Sequence, residues 1–405
     1  MPDTMRGYPL RAFLICLVCL TFANLDHSLF AFVLTELTEH FNWGIVERGW
    51  YIAITFMVAG VLIVQAGVLA DRIGRRRVLL GSMVSAPFFV AALYFAPGTV
   101  SLLVLRTLGF AAAGAAAPIS GTVVVEETPV RLRGLFAGIL QIAYPLGWFV
   151  ASLLVPLVYV AFGWRYVFFI SLVGLPFAWL VWRYLREPPA WQEAAAERAA
   201  TGGRHASIAE LFEPQYRYRT LMLLLGQFLQ VFAYGTTILL TAYFREARGW
   251  SAADAIQIVG LSYGVGALGY VAAAFAGEFL MNRRDVIVVW CALGAAAFAA
   301  MIWLTEAWWP TVIAYCAMTF FFYGATAVIF AFMAENFPAH LRATGLSFSG
   351  SLGVNLGIAL GPLALSYGIA LFGDWRMAYT IFGVVPIALA ALTYLGLRRV
   401  VQPRG

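Results

Sequence analysis

Charged residues are scarce in this sequence, and lysine is absent altogether. Only 11% of its 405 residues are charged and 62% are hydrophobic, whereas a soluble domain has about 25% charged and roughly 45–50% apolar residues. The composition therefore excludes a soluble globular protein. A transmembrane β-barrel is disfavoured, because its strands would alternate apolar and polar side chains. All 26 basic residues are arginines, which we attribute to codon usage and not to a chemical role.

Cysteines are also few, and all four, Cys16, Cys19, Cys291 and Cys316, lie in apolar runs. Cys16 and Cys19 are three residues apart and could hold a metal on one helix face, but small packing residues are the favoured interpretation. We predict no disulfide framework, no metal site and no cofactor. The sequence has no Ser/His/Asp or Cys/His arrangement and no phosphate-binding loop in a soluble domain, so an enzyme is not expected.

Long apolar runs dominate the chain. A membrane-spanning helix needs about 20 mostly apolar residues, and at this length only helices satisfy their backbone hydrogen bonds in lipid. We predict an all-α membrane protein with twelve transmembrane helices. Because the first run continues without a convincing cleavage site, it is interpreted as a span and not as a signal peptide. The predicted spans are 12–34, 50–70, 78–96, 100–125, 134–159, 165–185, 219–244, 255–281, 286–305, 309–333, 343–371 and 375–397.

The arginines are distributed unevenly between the two sides of the membrane. If the N-terminus is inside, 20 of the 26 fall in cytoplasmic segments, 5 fall in outer segments, and Arg106 lies within a span. The positive-inside rule then predicts that both termini are cytoplasmic. The same bias accounts for the net charge of +6, so the lipid bilayer and not a nucleic acid is the expected partner. We expect a monomeric, multi-pass protein of the cell inner membrane.

The polar stretch 186–218 divides the spans into six and six, which predicts six-helix bundles at 1–185 and 219–405. The halves resemble each other: "EETPVRLRG" at 126–134 parallels "ENFPAHLRATG" at 335–345. Such a repeat is the usual basis of alternating access, with a site at the midplane of the membrane. At a constant offset of 209 residues, Glu126, Pro129, Leu132 and Arg133 match Glu335, Pro338, Leu341 and Arg342.

The loop "GVLADRIGRRRVL", residues 67–79, has the pattern Gly-x-x-x-Asp-Arg-x-Gly-Arg-Arg. It resembles the signature loop of the major facilitator superfamily, although the matching second-half loop has Met281 in place of the acid. Within the superfamily the chain is most similar to metabolite:proton symporters that carry sialic acid and aromatic acids. The segments that carry this resemblance are "GILQIAYPLGWF" (138–149), "FGWRYVFFISLVGLP" (162–176), "REPPAW" (186–191) and "ENFPAHLRATG" (335–345). The resemblance implies the major facilitator fold, with spans 1, 4, 7 and 10 lining a central cavity.

Two charged residues are predicted at a similar depth in spans 1 and 4, namely Asp26 and Arg106. A charge at mid-membrane costs at least ~2.5–3.5 kcal/mol, and an Asp26–Arg106 pair would offset much of that. An anionic substrate that draws Arg106 away would let Asp26 take up a proton, which couples proton to anion. A permanently ionised structural pair is the alternative. His27 is a third candidate for proton coupling, but it could instead bond a neighbouring backbone group.

The resemblance is incomplete at two positions of these spans. Ala23 stands where the related families have a first acid in span 1, and Phe110 replaces the glycine of their span-4 Arg-x-x-x-Gly pattern. The remaining site predictions are polar residues in cavity spans and charged residues at the cytoplasmic mouth. Each polar residue could equally serve interhelical packing, and the charged residues could serve only to orient the chain. The predicted substrate-binding residues are Arg106, Gln141, Tyr144, Gln227, Tyr234, Tyr323 and Asn355. The predicted cytoplasmic gate is Asp71, Arg72, Arg75, Glu126, Arg133, Glu335 and Arg342.

These features predict a secondary active transporter that imports a small organic acid by proton symport, with an aromatic monocarboxylate as one candidate. The partners are then a small-molecule substrate and the proton. One alternative is a proton-coupled efflux carrier for drugs or metabolites. Another is a transport-dead sensor of the same fold. The intact signature loop and the absence of an appended signalling domain make this alternative less favoured.

Overall fold

The computed structural model of the chain describes residues 5–129, 132–187, 208–338, 341 and 345–399. All regular structure in these residues is helical, and 12 helices are long and apolar enough to cross a membrane. The predicted all-α class with twelve spans is thereby confirmed. The membrane helices are α1 (Tyr8–Phe32), α2 (Ile45–Gly67), α3 (Arg75–Phe95), α4 (Thr99–Glu127), α5 (Arg133–Phe162), α6 (Trp164–Tyr184), α7 (Arg217–Ala247), α8 (Ala252–Leu280), α9 (Arg283–Trp303), α10 (Trp308–Glu335), α11 (Phe348–Phe372) and α12 (Trp375–Leu395).

Several helices begin before the apolar run that predicts them. Helix α1 starts at Tyr8 and not at residue 12, and α2 starts at Ile45 and not at residue 50. Hydropathy marks only the part of a helix that lies in hydrocarbon, whereas the backbone keeps its helical hydrogen bonds into the polar zone. The helical geometry also varies. Helix α6 opens with a 3₁₀ segment, and π-helical segments occur at Tyr243–Ala247, Ala276–Leu280, Thr319–Tyr323, Leu346–Ser351 and Thr380–Val384.

The chain forms two compact units. The first comprises Met1–Trp43, Thr55–Arg204 and Ala252–Gly260, and the second comprises Gly44–Ile54, His205–Ser251 and Leu261–Gly405. The beginning of α2 thus groups with the second unit, and the beginning of α8 groups with the first. The predicted bundles at 1–185 and 219–405 stay a prediction, and most of the predicted linker at 186–218 lies outside the described residues.

Close helix contacts within each unit depend on glycine. In the first unit, a Cβ atom on Gly147 of α5 would lie 2.5 Å from the Thr21 carbonyl oxygen of α1. In the second unit, Gly357 of α11 faces the backbone of Phe228 and Phe232 in α7, where a Cβ would also clash. Small residues let membrane helices approach in this way, and van der Waals packing then holds them together. These contacts fix α1 against α5 and α7 against α11.

The signature loop turns sharply into α3. Gly74 has a φ of 109°, a conformation that favours glycine. The next two backbone N–H groups, of Arg75 and Arg76, donate to the carboxylate of Glu187, with Arg76 N at 3.2 Å. A helix start leaves such N–H groups without partners, so Glu187 caps α3. In the second half the corresponding helix, α9, is capped by Asn282, whose side-chain oxygen accepts a hydrogen bond from the Arg284 N–H at 3.0 Å.

Candidate functional site

The first unit contains a buried acid on α1. Asp26 is only 3% exposed, and it borders a small cavity whose walls come from α1, α3, α4 and α6, with Ser82, Pro87, Ala113 and Gly174 among them. The cavity measures about 10 Å³, which is near the minimum needed to hold one water molecule. The Asp26 carboxyl group therefore lies in a closed site inside the unit.

His27, the next residue, belongs to a stack of aromatic and cationic groups. Its ring lies parallel to that of Phe110, with centroids 3.9 Å apart and an interplanar angle of 14°. The Phe56 ring meets Phe110 edge-on at 4.5 Å. The Nε2 atom of His27 is buried and has no hydrogen-bond partner. A buried nitrogen in this state is costly.

Arg106 contacts two aromatic rings. Its guanidinium carbon is 4.7 Å from the centroid of Phe30 and 5.4 Å from that of Phe110, and the residue is 5% exposed. Phe110 therefore contacts both Arg106 and His27. Cation–π contacts at these distances stabilise a desolvated guanidinium. The phenylalanine that departs from the family's Arg-x-x-x-Gly pattern is the centre of the stack.

The guanidinium of Arg106 donates hydrogen bonds to main-chain oxygens of α1. Its Nη1 lies 3.4 Å from the Asp26 carbonyl oxygen and its Nη2 lies 3.1 Å from that of His27. Arg106 is thus held against the backbone of α1 at Asp26 and His27, and the predicted pairing of the Asp26 and Arg106 side chains stays a prediction. The residue count along each helix predicts that Asp26 and Arg106 lie at the same depth, but it does not predict these bonds to the main chain.

The other two substrate candidates of the first unit lie where the α-helical hydrogen bonding of α5 is interrupted. At Gln141 the helix tightens, and the Gln141 and Ile142 N–H groups bond carbonyls three residues back. Tyr144 follows and stacks on Trp148 at 6.3 Å. Both Gln141 and Tyr144 are half-buried. The irregular turn therefore presents an amide and a phenol from one helix.

In the second unit, Gln227 of α7 is completely buried and neither atom of its side-chain amide has a hydrogen-bond partner. One turn further along α7, the Gln230 amide nitrogen donates to Thr326 at 3.4 Å, and its oxygen is unpartnered. Buried amides almost always have partners. Gln227 is an exception to this rule, and Gln230 is one for its oxygen only. The predicted Asn355 lies half-buried on α11.

Two predicted tyrosines contact each other, and the hydroxyl of one of them, Tyr323, belongs to a buried hydroxyl cluster. Tyr234 and Tyr323 have ring centroids 4.7 Å apart. The Tyr323 hydroxyl donates to Thr237 at 2.8 Å and lies 3.2 Å from the Tyr263 hydroxyl. Tyr263 and Thr237 were not among the predicted residues, because a lone tyrosine or threonine in an apolar span gives no signal of its neighbours.

Three of the seven predicted gate residues, Arg75, Glu126 and Glu335, form ion pairs inside their own unit. Arg75 at the start of α3 pairs with Glu126 near the end of α4, and Arg133 donates to the Thr128 carbonyl oxygen at 3.2 Å. In the second unit, Arg283 pairs with Glu335 and also with Glu278 at 2.6 Å. Arg283 lies 208 residues after Arg75 and takes the same position at the start of α9. Arg342 lies outside the described residues, as do the side chains of Asp71 and Arg72.

A further buried ion pair lies in the second unit. Arg48, in the first turn of α2, is 1% exposed and binds Glu246 near the end of α7 through both guanidinium nitrogens, with the shorter distance 2.6 Å. The Trp375 ring lies 5.6 Å from the Arg48 guanidinium carbon. The sequence assigns Arg48 only to an outer segment, and its partner is 198 residues away. No local motif indicates the pair.

Twelve membrane helices, a signature loop with a glycine turn, and buried charged and amide groups in both units define an integral membrane protein of the transporter class. The chain belongs to the Major Facilitator Superfamily, whose sequence profile matches residues 16–352. Because family and relatives are transporters, the chain is not expected to act as an enzyme.

Three known proteins illustrate the similarity. The niacin transporter NiaP of Acinetobacter baylyi is 27% identical, covering 92% of this chain and 90% of that protein. The gallate transporter of Pseudomonas putida is 29% identical, covering 97% and 94% respectively. Among solved structures, a D-xylose-proton symporter superposes with a TM-score of 0.77 at 16% identity, covering 97% of this chain and 99% of that one, which shows the shared fold.

Proposed function

We propose that this protein imports a small aromatic carboxylic acid across the cell inner membrane by proton symport with alternating access. The observation that carries the proposal is the enclosure of Arg106 by Phe30 and Phe110. A guanidinium binds a carboxylate through two parallel hydrogen bonds, and the flanking rings suit an aromatic substrate. The niacin and gallate transporters among its relatives, named for aromatic acids, support this choice of substrate.

The hydrogen bonds of Arg106 to the main chain support the proposed substrate binding. Its guanidinium now donates to two neutral carbonyl oxygens. Hydrogen bonds to a carboxylate are shorter and roughly twice as strong as those between neutral groups, so an incoming carboxylate competes successfully for the same N–H groups. In the second unit, Gln227 is proposed as a hydrogen-bonding group for the substrate, because both atoms of its amide are buried without a partner.

Proton coupling is proposed to involve Asp26 and His27. While Arg106 rests on the α1 backbone, its positive charge lies near both residues. A substrate carboxylate neutralises that charge, which removes the electrostatic stabilisation of an ionised Asp26 and favours its protonation. The cavity beside Asp26 has room for about one water molecule, which could pass a proton to the carboxylate through a hydrogen bond. The unpartnered Nε2 atom of His27 is a second proton acceptor.

Reconstitution into proteoliposomes tests the proposal. Radiolabelled nicotinate and gallate should accumulate when the outside is made acidic, and a protonophore should abolish the accumulation. Nicotinamide is the matched neutral control, because it keeps the ring and lacks the carboxylate. Accumulation only under the reversed proton gradient would identify an antiporter, and the absence of any gradient-dependent carboxylate transport would overturn the proposed function.

A further inference from the structure

A second cavity lies in the second unit, apart from Gln227 and the tyrosine cluster, and it shares only Glu335 with the predicted gate. It has a volume of about 570 Å³, within the range of small-molecule binding pockets. It is formed where α7 begins and where α10 and α12 end, the end of the unit that the sequence predicts to be cytoplasmic. We call it the α7/α10/α12 pocket, and its lining residues are Gln215, Tyr218, Arg219, Glu335, Asn336, Gly396, Leu397, Arg398 and Arg399.

The α7/α10/α12 pocket has an excess of positive charge. Among its lining residues, the single acid is Glu335, and Arg283 already neutralises it. Asp285, just behind the pocket, accepts from both Arg284 at 2.7 Å and Arg399 at 3.0 Å. The arginines of this group number five and the acids four, which leaves a net charge of +1. The arginines are Arg219, Arg283, Arg284, Arg398 and Arg399, and the acids are Glu213, Glu278, Asp285 and Glu335.

Two of these arginines are placed to hold an anion. Arg219 donates to the Asn336 carbonyl oxygen at 2.9 Å and lies over the Tyr216 ring, so its guanidinium is fixed at the pocket wall. Arg398 is exposed and makes no ion pair with any residue in the part of the chain that the structure describes. Since arginine forks match the oxygens of phosphate, this pair suits a phosphate group.

An apolar surface continues from the pocket toward the middle of the membrane helices. On α7, Tyr218, Leu221 and Leu225 share one face and are each exposed. On α12, Leu392 and Leu395 are likewise exposed. The two helices pack together, and the Tyr218 hydroxyl donates to the Gly396 carbonyl oxygen at 3.3 Å at the pocket rim. A molecule with both a phosphate and acyl chains would contact the basic pocket and this apolar surface together.

We propose that the α7/α10/α12 pocket binds a phosphate group, and that its bearer is an anionic phospholipid with its headgroup in the pocket and its chains along α7 and α12. Basic pockets at this level of a membrane protein bind anionic headgroups. A soluble phosphate compound would meet the same arginines but would leave the apolar surface unused. The site is separate from Asp26, Arg106 and Gln227, so the proposal does not depend on the transported substrate.

The test measures lipid binding to the purified full chain in detergent, by native mass spectrometry and by thermal shift. Three probes are compared: dioleoylphosphatidylglycerol, dioleoylphosphatidylcholine, and inorganic phosphate against sodium chloride at equal ionic strength. Phosphatidylglycerol should bind more tightly than phosphatidylcholine and raise the melting temperature. Arg398→Gln should weaken phosphatidylglycerol binding about fivefold, the effect of one basic residue near an anionic membrane surface, and Arg398→Lys should restore most of it.

Arg77→Gln is the matched control, because Arg77 is an exposed arginine of α3 that lies outside the pocket. It should leave phosphatidylglycerol binding unchanged. Equal weakening by Arg77→Gln and Arg398→Gln would show a diffuse surface charge effect and overturn the pocket. Binding of both lipids with equal affinity, or an unaffected Arg398→Gln variant, would also overturn it. Stabilisation by inorganic phosphate alone, lost in Arg398→Gln, would overturn the lipid assignment in favour of a soluble phosphate compound.

Discussion

The substitution Arg106→Lys tests whether the planar fork of this residue recognises the substrate. Lysine keeps the positive charge but offers a compact ammonium in place of two parallel N–H groups. In the structure, two different nitrogens of Arg106 bond two different carbonyl oxygens, at 3.4 and 3.1 Å. A single ammonium cannot reproduce that geometry toward a carboxylate. Loss of one hydrogen bond to a charged group costs about 1.5–3 kcal/mol, which predicts carboxylate binding weaker by about 10-fold to 150-fold.

The assay is the affinity of purified protein for nicotinate and gallate, measured by isothermal titration calorimetry in detergent. Nicotinamide and thermal unfolding serve as controls, because weakening of every ligand together with a lower melting temperature would indicate damage to the fold. The selective loss should appear for the acids alone. If Arg106→Lys binds the acids as tightly as the wild type, Arg106 is a structural cation that stabilises α1, and the organic-acid assignment loses its principal support.

Three further substitutions test other parts of the structure. Asp26→Asn keeps the shape and removes the titrating group, so proton-driven accumulation should stop while substrate exchange in proteoliposomes continues; normal accumulation would contradict a role in coupling. Glu246→Gln leaves the Arg48 charge buried without its carboxylate, which should lower the free energy of unfolding by up to about 3 kcal/mol, the low end for a broken buried pair because Glu246 is 30% exposed. The double variant Arg48→Met with Glu246→Gln should have a higher melting temperature than Glu246→Gln alone, because it no longer contains an unpaired buried charge. If the losses of the two single variants simply add in the double variant, Arg48 and Glu246 do not stabilise each other. Gln227→Leu removes a buried amide without partners, so stability should be unchanged or higher while substrate affinity falls; unchanged affinity, with Gln230→Leu measured alongside, would assign Gln227 to packing.

The sequence predicted the number of spans and the internal repeat because both depend on composition and on spacing along the chain. It also placed Asp26 and Arg106 at one depth, since depth in a membrane helix follows from residue count. It could not predict that Arg106 bonds the main chain, because that depends on the rotation of α1 and on Phe110. The Arg48–Glu246 pair, separated by 198 residues, and the capping of α3 by Glu187 likewise depend on how distant segments pack.

The internal repeat predicts the ion pairs at the helix ends of both halves, whereas the signature motif alone predicts them only in the first half. The second-half loop lacks the acid of the signature pattern, and Met281 stands in its place. Arg283 nevertheless pairs with Glu335 as Arg75 pairs with Glu126. The two ion pairs therefore belong to the duplicated architecture, whereas the complete signature is confined to the first half.

The glycine contacts between α1 and α5 and between α7 and α11 have a mechanical consequence. At Gly147 and at Gly357 the backbones of the two helices are in direct contact, without side chains between them. Sliding or rotation of one helix against the other would therefore bring larger residues into a steric clash. Each pair should therefore move as a rigid body during a transport cycle. Asp26, His27 and the backbone oxygens that hold Arg106 are then displaced together with Gln141 and Tyr144, and Gln227 is displaced together with Asn355.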